Sequence, residues 1–445
     1  MTAGVRQDAG PDPQDETVQI CRDLLRIDST NAGDGTGPGE REAAEYVMAS
    51  LTEVGLEPVY LESTPRRASV VVRMAGTDGS RSALAIHGHL DVVPADAADW
   101  RVDPFGGQEQ DGCLWGRGAV DMKDMDAMML AVIRQLARTG TRPARDIVWA
   151  FFADEEAGGV HGAQWLVRTH PELFDGVGEA ISEVGGFCVT VPTPGGPRRA
   201  YLLQTAEKGI AWLRLRASGR AGHGSVPNDD NAVVHLAEAL GRISRHHWPA
   251  DYIASVRGLL DGLSHLTSVG YTDDDCAQLL STVPGVRGFV EGSLRDTAQP
   301  TMLTAGYKNN VIPQTATAAL DCRFLPGHRE DLLTTIRELA GEHVEVLQDH
   351  LAVSLEQPYT GRLVDSMRAA LLAEDPDATV LPYCLSGGTD NKHLAELGVT
   401  GYGFAPLRLP PELPFAPMFH GIDERVPIES LRFGTRVMSR LVMSC

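Results

Sequence analysis

The sequence predicts an α/β protein with a mixed, mainly parallel sheet, into which a second, α+β domain is inserted. Up to about residue 204, short apolar runs alternate with helical segments, a pattern typical of parallel sheets flanked by helices. After Gln204 the pattern changes: apolar and basic residues alternate over 213–217, and every second residue is apolar over 315–324, which predicts half-buried strands of an open sheet. The α/β pattern returns near Leu363. We therefore expect residues 1–204 and 356–445 to form one domain and 205–355 the insertion.

The elements of the first domain follow from the period of their apolar residues. Spacing of three and four residues predicts amphipathic helices, and short apolar runs between turn residues predict buried strands. The helices are expected at 16–27, 40–54 and 123–138, and the strands at 68–74, 82–87 and 147–153.

The inserted domain is predicted to be a β-α-β-β-α-β sandwich with one helical face bare. Its clearest strand is 315–324, where every second residue is apolar. The full expected order is strand 210–218, helix 231–247, an irregular insert 250–300, strand 301–308, strand 315–324, helix 329–341 and strand 343–348.

The net charge of −21 over 445 residues argues against a nucleic-acid partner, because an acidic surface repels phosphate. The seven cysteines are scattered and odd in number, so we expect neither disulfides nor a thiolate metal site. No apolar run approaches the roughly 20 residues that cross a bilayer, and the first 16 residues lack an apolar signal core. The sequence thus predicts a cytoplasmic protein without a membrane partner.

The stretch LAIHGHLDVVP, residues 84–94, places two histidines and an aspartate at the end of an apolar run. His89 and Asp91 are two residues apart, so in extended chain their side chains point to the same side. A carboxylate beside an imidazole fixes the tautomer and orientation of the ring, as it does for histidine ligands of metals. By itself the pair more often marks a histidine bound to a local carbonyl at a turn, so its meaning depends on the other motifs.

Acidic residues follow further apolar runs. IVWAFFADEEAGG brings Glu155 and Glu156 to the end of a predicted strand, and AISEVGG does the same for Glu183. The loop WGRGAVDMK brings Asp121 to a helix start, where the helix dipole alone also favours an acid. His420 follows an aromatic-rich loop in APMFHGIDERVP. Because ligands of open α/β sheets bind beyond the carboxyl ends of the strands, we expect these side chains to converge.

Convergence would place at least four carboxylates in one pocket, those of Asp121, Glu155, Glu156 and Glu183. Like charges that close need strongly raised pKa values or bound cations. Two divalent ions would balance the four negative charges. Nitrogen and oxygen donors without sulfur, two of them histidines, favour Zn²⁺, with Co²⁺ or Mn²⁺ as alternatives.

The ordered set HxDVVP, GRGxxDMK, the DEE after a strand, SE-x-GG, GHGS and FHGIDE resembles the co-catalytic zinc exopeptidases and amidohydrolases. These include aminoacylase, acetylornithine deacetylase, succinyl-diaminopimelate desuccinylase, carnosine-type dipeptidases and glutamate-releasing carboxypeptidase. The similarity spans nearly the whole chain. It implies a zinc-exopeptidase-like catalytic domain in two parts, 1–204 and 356–445, and an inserted lid and dimerisation domain, 205–355, in a homodimeric enzyme.

The resemblance implies two Zn²⁺ per chain. Asp121 would bridge them, Glu156 and His420 would complete one site, and His89 and Glu183 the other. The family also implies a cis peptide bond after Asp121.

Two catalytic roles are implied beside the metals. Asp91 would orient His89, and Glu155 would be the general base that moves a proton from the attacking water to the leaving amine. We expect a near-extended chain at Glu155 and Glu156, which would direct these neighbouring side chains apart.

Four residues outside the metal motifs resemble substrate-binding positions of the family. His223, in RAGHGSVPNDD, would donate to the oxyanion, from the partner subunit in dimeric relatives. Asn310, Arg323 and Gly388 would grip the substrate carboxylate, for which a guanidinium fork and a bare backbone amide are suited. The alternatives are open: His223 as a turn residue, Arg323 paired with a neighbouring acid, and SGGTD as a plain turn.

These observations together predict a dinuclear zinc hydrolase that cleaves an amide bond next to a free carboxylate, in a short peptide or an N-acyl amino acid. A non-catalytic binding or assembly protein that keeps the fold is the alternative from another class, and a biosynthetic deacylase is the alternative within the family. A serine hydrolase is disfavoured, because Ser225 lies in GxGSxP and not in a G-x-S-x-G elbow.

Overall fold

The computed structural model describes residues 10–445, which divide into two compact units. The first unit comprises the described chain up to Thr205 together with Gln357–Pro382 and Thr389–Cys445. The second comprises Ala206–Glu356 and the short segment Tyr383–Gly388.

The N-terminal part of the first unit alternates helices and strands as the sequence predicts. Its elements are α1 (Pro13–Leu25), α2 (Arg41–Glu53), β1 (Val59–Thr64), β2 (Arg67–Met74), β3 (Ala83–His89), β4 (Gln108–Gln110), β5 (Cys113–Trp115), α3 (Lys123–Thr139), β6 (Ile147–Phe152), α4 (Ala163–Thr169), β7 (Val177–Ser182), β8 (Phe187–Val191) and β9 (Arg198–Glu207).

The second unit follows along the chain. Its elements are β10 (Gly209–Ser218), β11 (Gly222–His223), α5 (Ala232–Arg245), α6 (Ala254–Thr267), α7 (Ala277–Ser281), α8 (Pro284–Val290), β12 (Thr297–Ala305), β13 (Val311–Ile312), β14 (Thr315–Phe324), α9 (Arg329–Ala340), β15 (Val344–Ala352) and β16 (Leu355–Glu356).

The C-terminal part of the chain returns to the first unit. Its elements are α10 (Arg362–Glu374), β17 (Thr379–Leu385), α11 (Asn391–Leu394), β18 (Thr400–Gly403), β19 (Arg425–Pro427) and α12 (Ile428–Ser444).

The large sheet has the order β1-β2-β6-β3-β7-β18-β9, with β8 and β17 also paired to β9. Its centre is parallel, because β3 pairs in parallel with both β6 and β7, and β7 pairs in parallel with β18. The flanks are antiparallel, as in β1–β2 and β2–β6. The predicted α/β class with a mixed sheet is confirmed.

The central strands are apolar on both faces because both faces are covered by other elements. Every residue of β3 and β6 is buried, and a continuous apolar run is what a strand covered on both sides requires. Phe152 and Ala163 belong to one core cluster beside the sheet, together with residues of α4. The carboxyl ends of β3, β6 and β7 therefore come together at one edge of a rigid sheet.

The second unit has a four-stranded antiparallel sheet in the order β12-β14-β10-β15. Apolar residues that alternate along β10 and β14 pack with α5 and α9 into a single core, as in the contacts of Leu215, Leu236 and Ile336. The predicted β-α-β-β-α-β order is present. The other face of the sheet is polar and partly exposed, with Trp212 39% exposed.

Some sequence predictions were wrong in detail. The stretch 250–300 was expected to be irregular but contains α6, which has 14 residues, and the short helices α7 and α8. The strand expected at 301–308 is β12, which begins four residues earlier, at Thr297, and pairs with β14 with a register shift after Pro300.

In residues 10–445 no helix is long and apolar enough to span a bilayer, and all seven cysteines are free thiols.

Candidate metal centre and active site

Five predicted ligand positions lie in one cluster within the first unit. His89 ends β3, Glu156 follows β6 and Glu183 follows β7, so the sheet brings these three side chains to the same edge. Asp121 comes from the loop between β5 and α3, and His420 from the loop before β19. Sites at the carboxyl ends of parallel strands are the usual ligand sites of open α/β sheets.

Asp121 stands between the two histidines. Its Oδ1 lies 3.2 Å from His89 Nε2, and its Oδ2 lies 3.3 Å from His420 Nε2. Each histidine also faces one glutamate: His89 Nε2 is 3.5 Å from Glu183 Oε2, and His420 Nε2 is 3.0 Å from Glu156 Oε2. The cluster thus has two halves that share one aspartate, which is the arrangement of donors that a bridging carboxylate needs.

Burial and neighbouring charges strongly shift the pKa values of the clustered side chains. Burial opposes a proton on His89, yet Glu183 and Asp121 raise its pKa well above the usual range. Hydrogen bonds with Asp121 and Glu156 raise the pKa of His420 to about 11. Burial raises the pKa of Glu156 to about 8 and that of Glu183 well above its usual range. Burial works against ionisation of Asp121 too, but hydrogen bonds from His420 and His89 hold its pKa below the usual range. The side chains alone need protons to balance their charge.

The donor set fits divalent cations. Donor atoms of His89, Asp121 and Glu156 lie within 4.8 Å of one another, and so do those of His89, Glu155 and Glu183. Within residues 10–445, the buried Glu156 Oε1 has no hydrogen-bond partner, and burial of such an oxygen costs free energy unless a cation binds it. The donors are nitrogen and oxygen without sulfur, a set that suits zinc and similar ions.

Asp91 is completely buried and joins the two sides of the cluster. His89 Nδ1 contacts the backbone carbonyl oxygen of Asp91 at 3.0 Å, and the carboxylate Oδ1 lies farther away, at 3.4 Å, so Asp91 orients the ring through its main chain as well as its side chain. The same carboxylate accepts hydrogen bonds from the backbone N–H groups of Glu155 and Glu156, both at 3.1 Å, and from Asn31 Nδ2 at 2.9 Å. Asp91 therefore fixes the acidic turn as well as the histidine.

The expectation of a near-extended chain at Glu155 and Glu156 is wrong. Asp154 has a left-handed backbone with φ of 68°, and Glu155–Ala157 form a 3₁₀ turn. The turn still sends the two side chains apart: Glu155 lies on the side of Glu183, and Glu156 contacts His420. The peptide bond between Asp121 and Met122 is cis, as the resemblance implied.

His223 and Asn310 lie together in the second unit. The two-residue strand β11, which ends in His223, pairs with β13, which begins directly after Asn310. The N–H of Gly224 donates to the carbonyl of Asn310 at 2.9 Å. Both residues are exposed, and His223 Nδ1 lies 2.8 Å from Ser225 Oγ. The structure therefore places two predicted substrate-binding residues side by side, with the Nε2 of His223 directed away from the Ser225 contact.

The other two predicted substrate residues are less distinctive. Arg323 makes a two-point ion pair with Asp321, at 2.6 and 2.9 Å, which is the structural alternative that the sequence left open. A Cβ added to Gly388 would make only ordinary contacts, with Ile210 and with the carbonyl of Lys208. Close packing therefore does not require glycine at this position.

Sequence reasoning missed Glu424, although this residue lies in the motif FHGIDE. The carboxylate is completely buried and accepts hydrogen bonds from Val120 N at 2.7 Å, Gly118 N at 3.1 Å and Arg117 Nη1 at 2.8 Å. These contacts hold the loop that leads into Asp121. Burial raises the pKa of Glu424 to about 7.

We expect Glu424→Gln to lower kcat about tenfold or more and to weaken metal retention, because residues that support metal ligands typically contribute 10- to 100-fold. Metal content after dialysis and kcat would be measured together. Glu109→Gln, at an exposed acid on β4, is the matched control and should behave as the wild type. Wild-type metal retention in Glu424→Gln would show that the loop holds Asp121 without this carboxylate.

Comparison with known families decides the class of the protein. The model of peptidase family M20/M25/M40 matches residues 85–444. The chain belongs to this family. It is therefore an enzyme of the metallopeptidase and aminoacylase type, and the resemblance seen in the sequence motifs is confirmed.

Relatives cover nearly all of this M20 chain. It is 28% identical over 379 residues to the probable carboxypeptidase S-like 2 of Dictyostelium discoideum, covering 82% of this chain and 72% of the relative. It is 26% identical over 443 residues to human aminoacylase-1, covering 97% and 96%.

Solved structures share the fold. The M20 family metallo-carboxypeptidase Sso-CP2 of Sulfolobus solfataricus has a TM-score of 0.72 and 17% identity, covering 96% of this chain and 99% of that one. The YXEP protein of Bacillus subtilis, described as a dinuclear metal-binding peptidase of the family, has a TM-score of 0.58 and 14% identity, covering 97% and 98%. At these identities the likeness establishes the fold.

Proposed function

We propose that this M20 enzyme is a dinuclear zinc hydrolase that cleaves the amide bond beside a free carboxylate, in a short peptide or an N-acyl amino acid. The observation that carries the proposal is the position of Asp121, whose two carboxylate oxygens face two different histidines, each backed by its own glutamate. Similarity to aminoacylase-1 and to a carboxypeptidase S-like protein supports this substrate class.

The metal ligands would be shared as follows. Asp121 would bind both ions, His89 and Glu183 one of them, and Glu156 and His420 the other. Two histidines beside carboxylates favour Zn²⁺, with Co²⁺ and Mn²⁺ as alternatives. When bound, such ions lower the pKa of a coordinated water and polarise the scissile carbonyl.

Glu155 would then serve as the general base. It accepts the proton of the attacking water and returns it to the leaving amine, so the carboxylate ends the cycle as it began. Its position supports this role, because its donor oxygen lies within 4.8 Å of those of His89 and Glu183. Asp91 contributes by orienting His89 and by holding the backbone of Glu155.

The second unit would supply the substrate contacts. His223 would donate a hydrogen bond to the oxyanion of the tetrahedral intermediate, a contribution that is large when the donor is fixed in advance. Asn310, Arg323 and Gly388 would hold the carboxylate end of the substrate. Exposure of His223 and Asn310 leaves their side chains accessible for such contacts.

We also propose that the enzyme is a homodimer joined through the second unit. The edge strand β12 exposes Met302 (70%) and Leu303 (65%), and Tyr307 beside it is 82% exposed. An unprotected apolar edge strand is a surface that natural proteins normally cover. Sedimentation at micromolar protein is expected to show the dimer, and monomer alone would remove a partner-subunit role for His223.

The scattered, free cysteines support a cytoplasmic location.

Hydrolysis of a substrate panel tests the proposed function. The panel would contain dipeptides, N-acetyl and N-long-chain-acyl amino acids, and the same compounds with the carboxylate converted to an amide. We expect hydrolysis of at least one carboxylate-bearing class and a kcat/KM at least tenfold lower for the matching amides. Preference for N-acetylornithine or N-succinyl-diaminopimelate, added to the panel, would instead assign a biosynthetic deacylase, and no turnover by the metal-loaded protein would favour a binding or assembly role.

A further inference from the structure

The short helix α11 packs directly against the acidic turn after β6. His393 Nε2 lies 3.0 Å from the carbonyl oxygen of Gly158, at the end of that turn. Gly159 is so close to α11 that an added Cβ would come within 2.7 Å of His393 Nε2 and 2.6 Å of Asp390 Oδ1. The turn that carries Glu155 therefore packs closely against the segment TDNKH, residues 389–393. The proposed function assigns a role only to Gly388, which precedes this segment.

Lys392 extends from this helix to the carboxylate of Glu155. Its Nζ lies 3.1 Å from Glu155 Oε1, and the two side chains are only 4% and 11% exposed. A lysine that is nearly buried loses hydration and rotamer freedom, so its ammonium is retained only where a partner compensates. One partner here is the proposed base.

The charge pattern makes this pair distinctive. The cluster contains four acids, Asp121, Glu155, Glu156 and Glu183. Among residues 10–445, no lysine or arginine other than Lys392 forms an ion pair with any of them. A carboxylate accepts hydrogen bonds at both oxygens. The contact at Oε1 thus leaves Oε2 of Glu155 available to accept a proton.

We propose that Lys392 is a positioning residue, whose ammonium holds the Glu155 carboxylate in the orientation that abstracts a proton. This inference rests on the proposed role of Glu155 as general base. It assigns a function to the lysine of GGTDNKHL, which acts through Glu155 rather than on the substrate. A point charge at one oxygen fixes the direction of the other, and displacement of a catalytic group by about 1 Å can cost about 100-fold in rate.

The test compares Lys392→Met with Lys392→Arg in the metal-loaded enzyme. We expect Lys392→Met to lower kcat about 10- to 100-fold while KM stays within about threefold, because only the transition state loses stabilisation. Lys392→Arg keeps the charge and should recover most of the lost kcat. Metal content and thermal unfolding would be measured for both variants, and both should stay close to the wild type.

A second comparison uses the Glu155→Asp background, whose shorter carboxylate is withdrawn from the ammonium. Since Lys392 acts through this carboxylate, Lys392→Met should cost less there than in the wild type. Equal costs in the two backgrounds would overturn the inference. So would an unchanged kcat in Lys392→Met, a rise confined to KM, which would make Lys392 a substrate contact, or loss of metal in both Lys392 variants.

The outcomes also separate this inference from the proposed function. An active Lys392→Met beside an inactive Glu155→Gln would refute the role of Lys392 alone. Full activity in Glu155→Gln would refute the base itself and the inference with it.

Discussion

Glu155→Gln is expected to lower kcat about 10³- to 10⁴-fold, at the upper end of what general-base catalysis contributes. Glutamine has nearly the same shape but cannot accept a proton at neutral pH. The attacking water then has no base to deprotonate it, and the leaving amine has no acid to protonate it. The metal ligands stay in place, because Glu156 and Asp91 are unchanged and the backbone N–H of residue 155 still binds Asp91. The measurement is kcat and KM on the best substrate of the panel, with metal content.

The matched control is Glu172→Gln, at an exposed glutamate in the same unit. It should retain wild-type kcat and metal. A loss of less than about tenfold in Glu155→Gln, with metal retained, would show that another group moves the proton. Loss of metal in this variant would instead make Glu155 a ligand, a role that its distance from His89 and Glu183 also allows geometrically.

Asp121→Asn is expected to reduce bound metal from about two ions per chain to fewer than one and to abolish measurable turnover. An amide offers one oxygen donor where the carboxylate offers two, so one ion loses its contact with residue 121 and the mutual repulsion of the ions is no longer offset. Both histidines also lose their common partner. Elemental analysis after gel filtration and kcat would be measured on the same sample.

Asp124→Asn is the control for a general disturbance at the start of α3. Asp124 is buried, and burial raises its pKa to about 8, so an amide replaces a carboxyl that is largely protonated near neutral pH. This variant should retain both metal and activity. Two ions per chain in Asp121→Asn would contradict the bridging assignment.

The main elements and the convergence of the histidine and acidic side chains could be predicted because their signals are local. An apolar run that is followed by histidine or acidic residues predicts both a buried strand and the chemistry at the carboxyl end of that strand. Such residues are His89, Glu155, Glu156 and Glu183. The sheet then brings adjacent strand ends together, whatever the loops do. The alternating pattern of β14 is similarly explicit, because one face of that strand is covered by helices and the other is not.

The supporting residues could not be predicted in the same way, since their roles arise from contacts between distant parts of the chain. Asn31 binds Asp91 from 60 residues away, and Lys392 reaches Glu155 across 237 residues. No local pattern marks either side chain. Glu424 had a signal, its position in FHGIDE, but only the folded chain shows that it holds the loop before Asp121.

The turn at Glu155 illustrates a different limit. Sequence reasoning extended the strand into the acids, and the left-handed Asp154 ends it instead. Asp154 accepts hydrogen bonds from Asn31 Nδ2 and from the N–H of His161, which stabilise a conformation that aspartate tolerates better than most residues. The expectation of an irregular stretch at 250–300 failed for two reasons. The helical spacing of Val256, Leu259, Leu260 and Leu263 in α6 was missed, and α7 and α8, with five and seven residues, are too short to give a clear period.

The number of metal ions bound per active chain tests the central claim most directly. Purified enzyme would be stripped with a chelator, titrated with Zn²⁺, and followed by elemental analysis and by hydrolysis of the panel substrate. We expect no turnover in the stripped protein and recovery that is complete at about two ions per chain. Full activity without stoichiometric metal, or saturation at one ion, would contradict a dinuclear centre held by His89, Asp121, Glu156, Glu183 and His420.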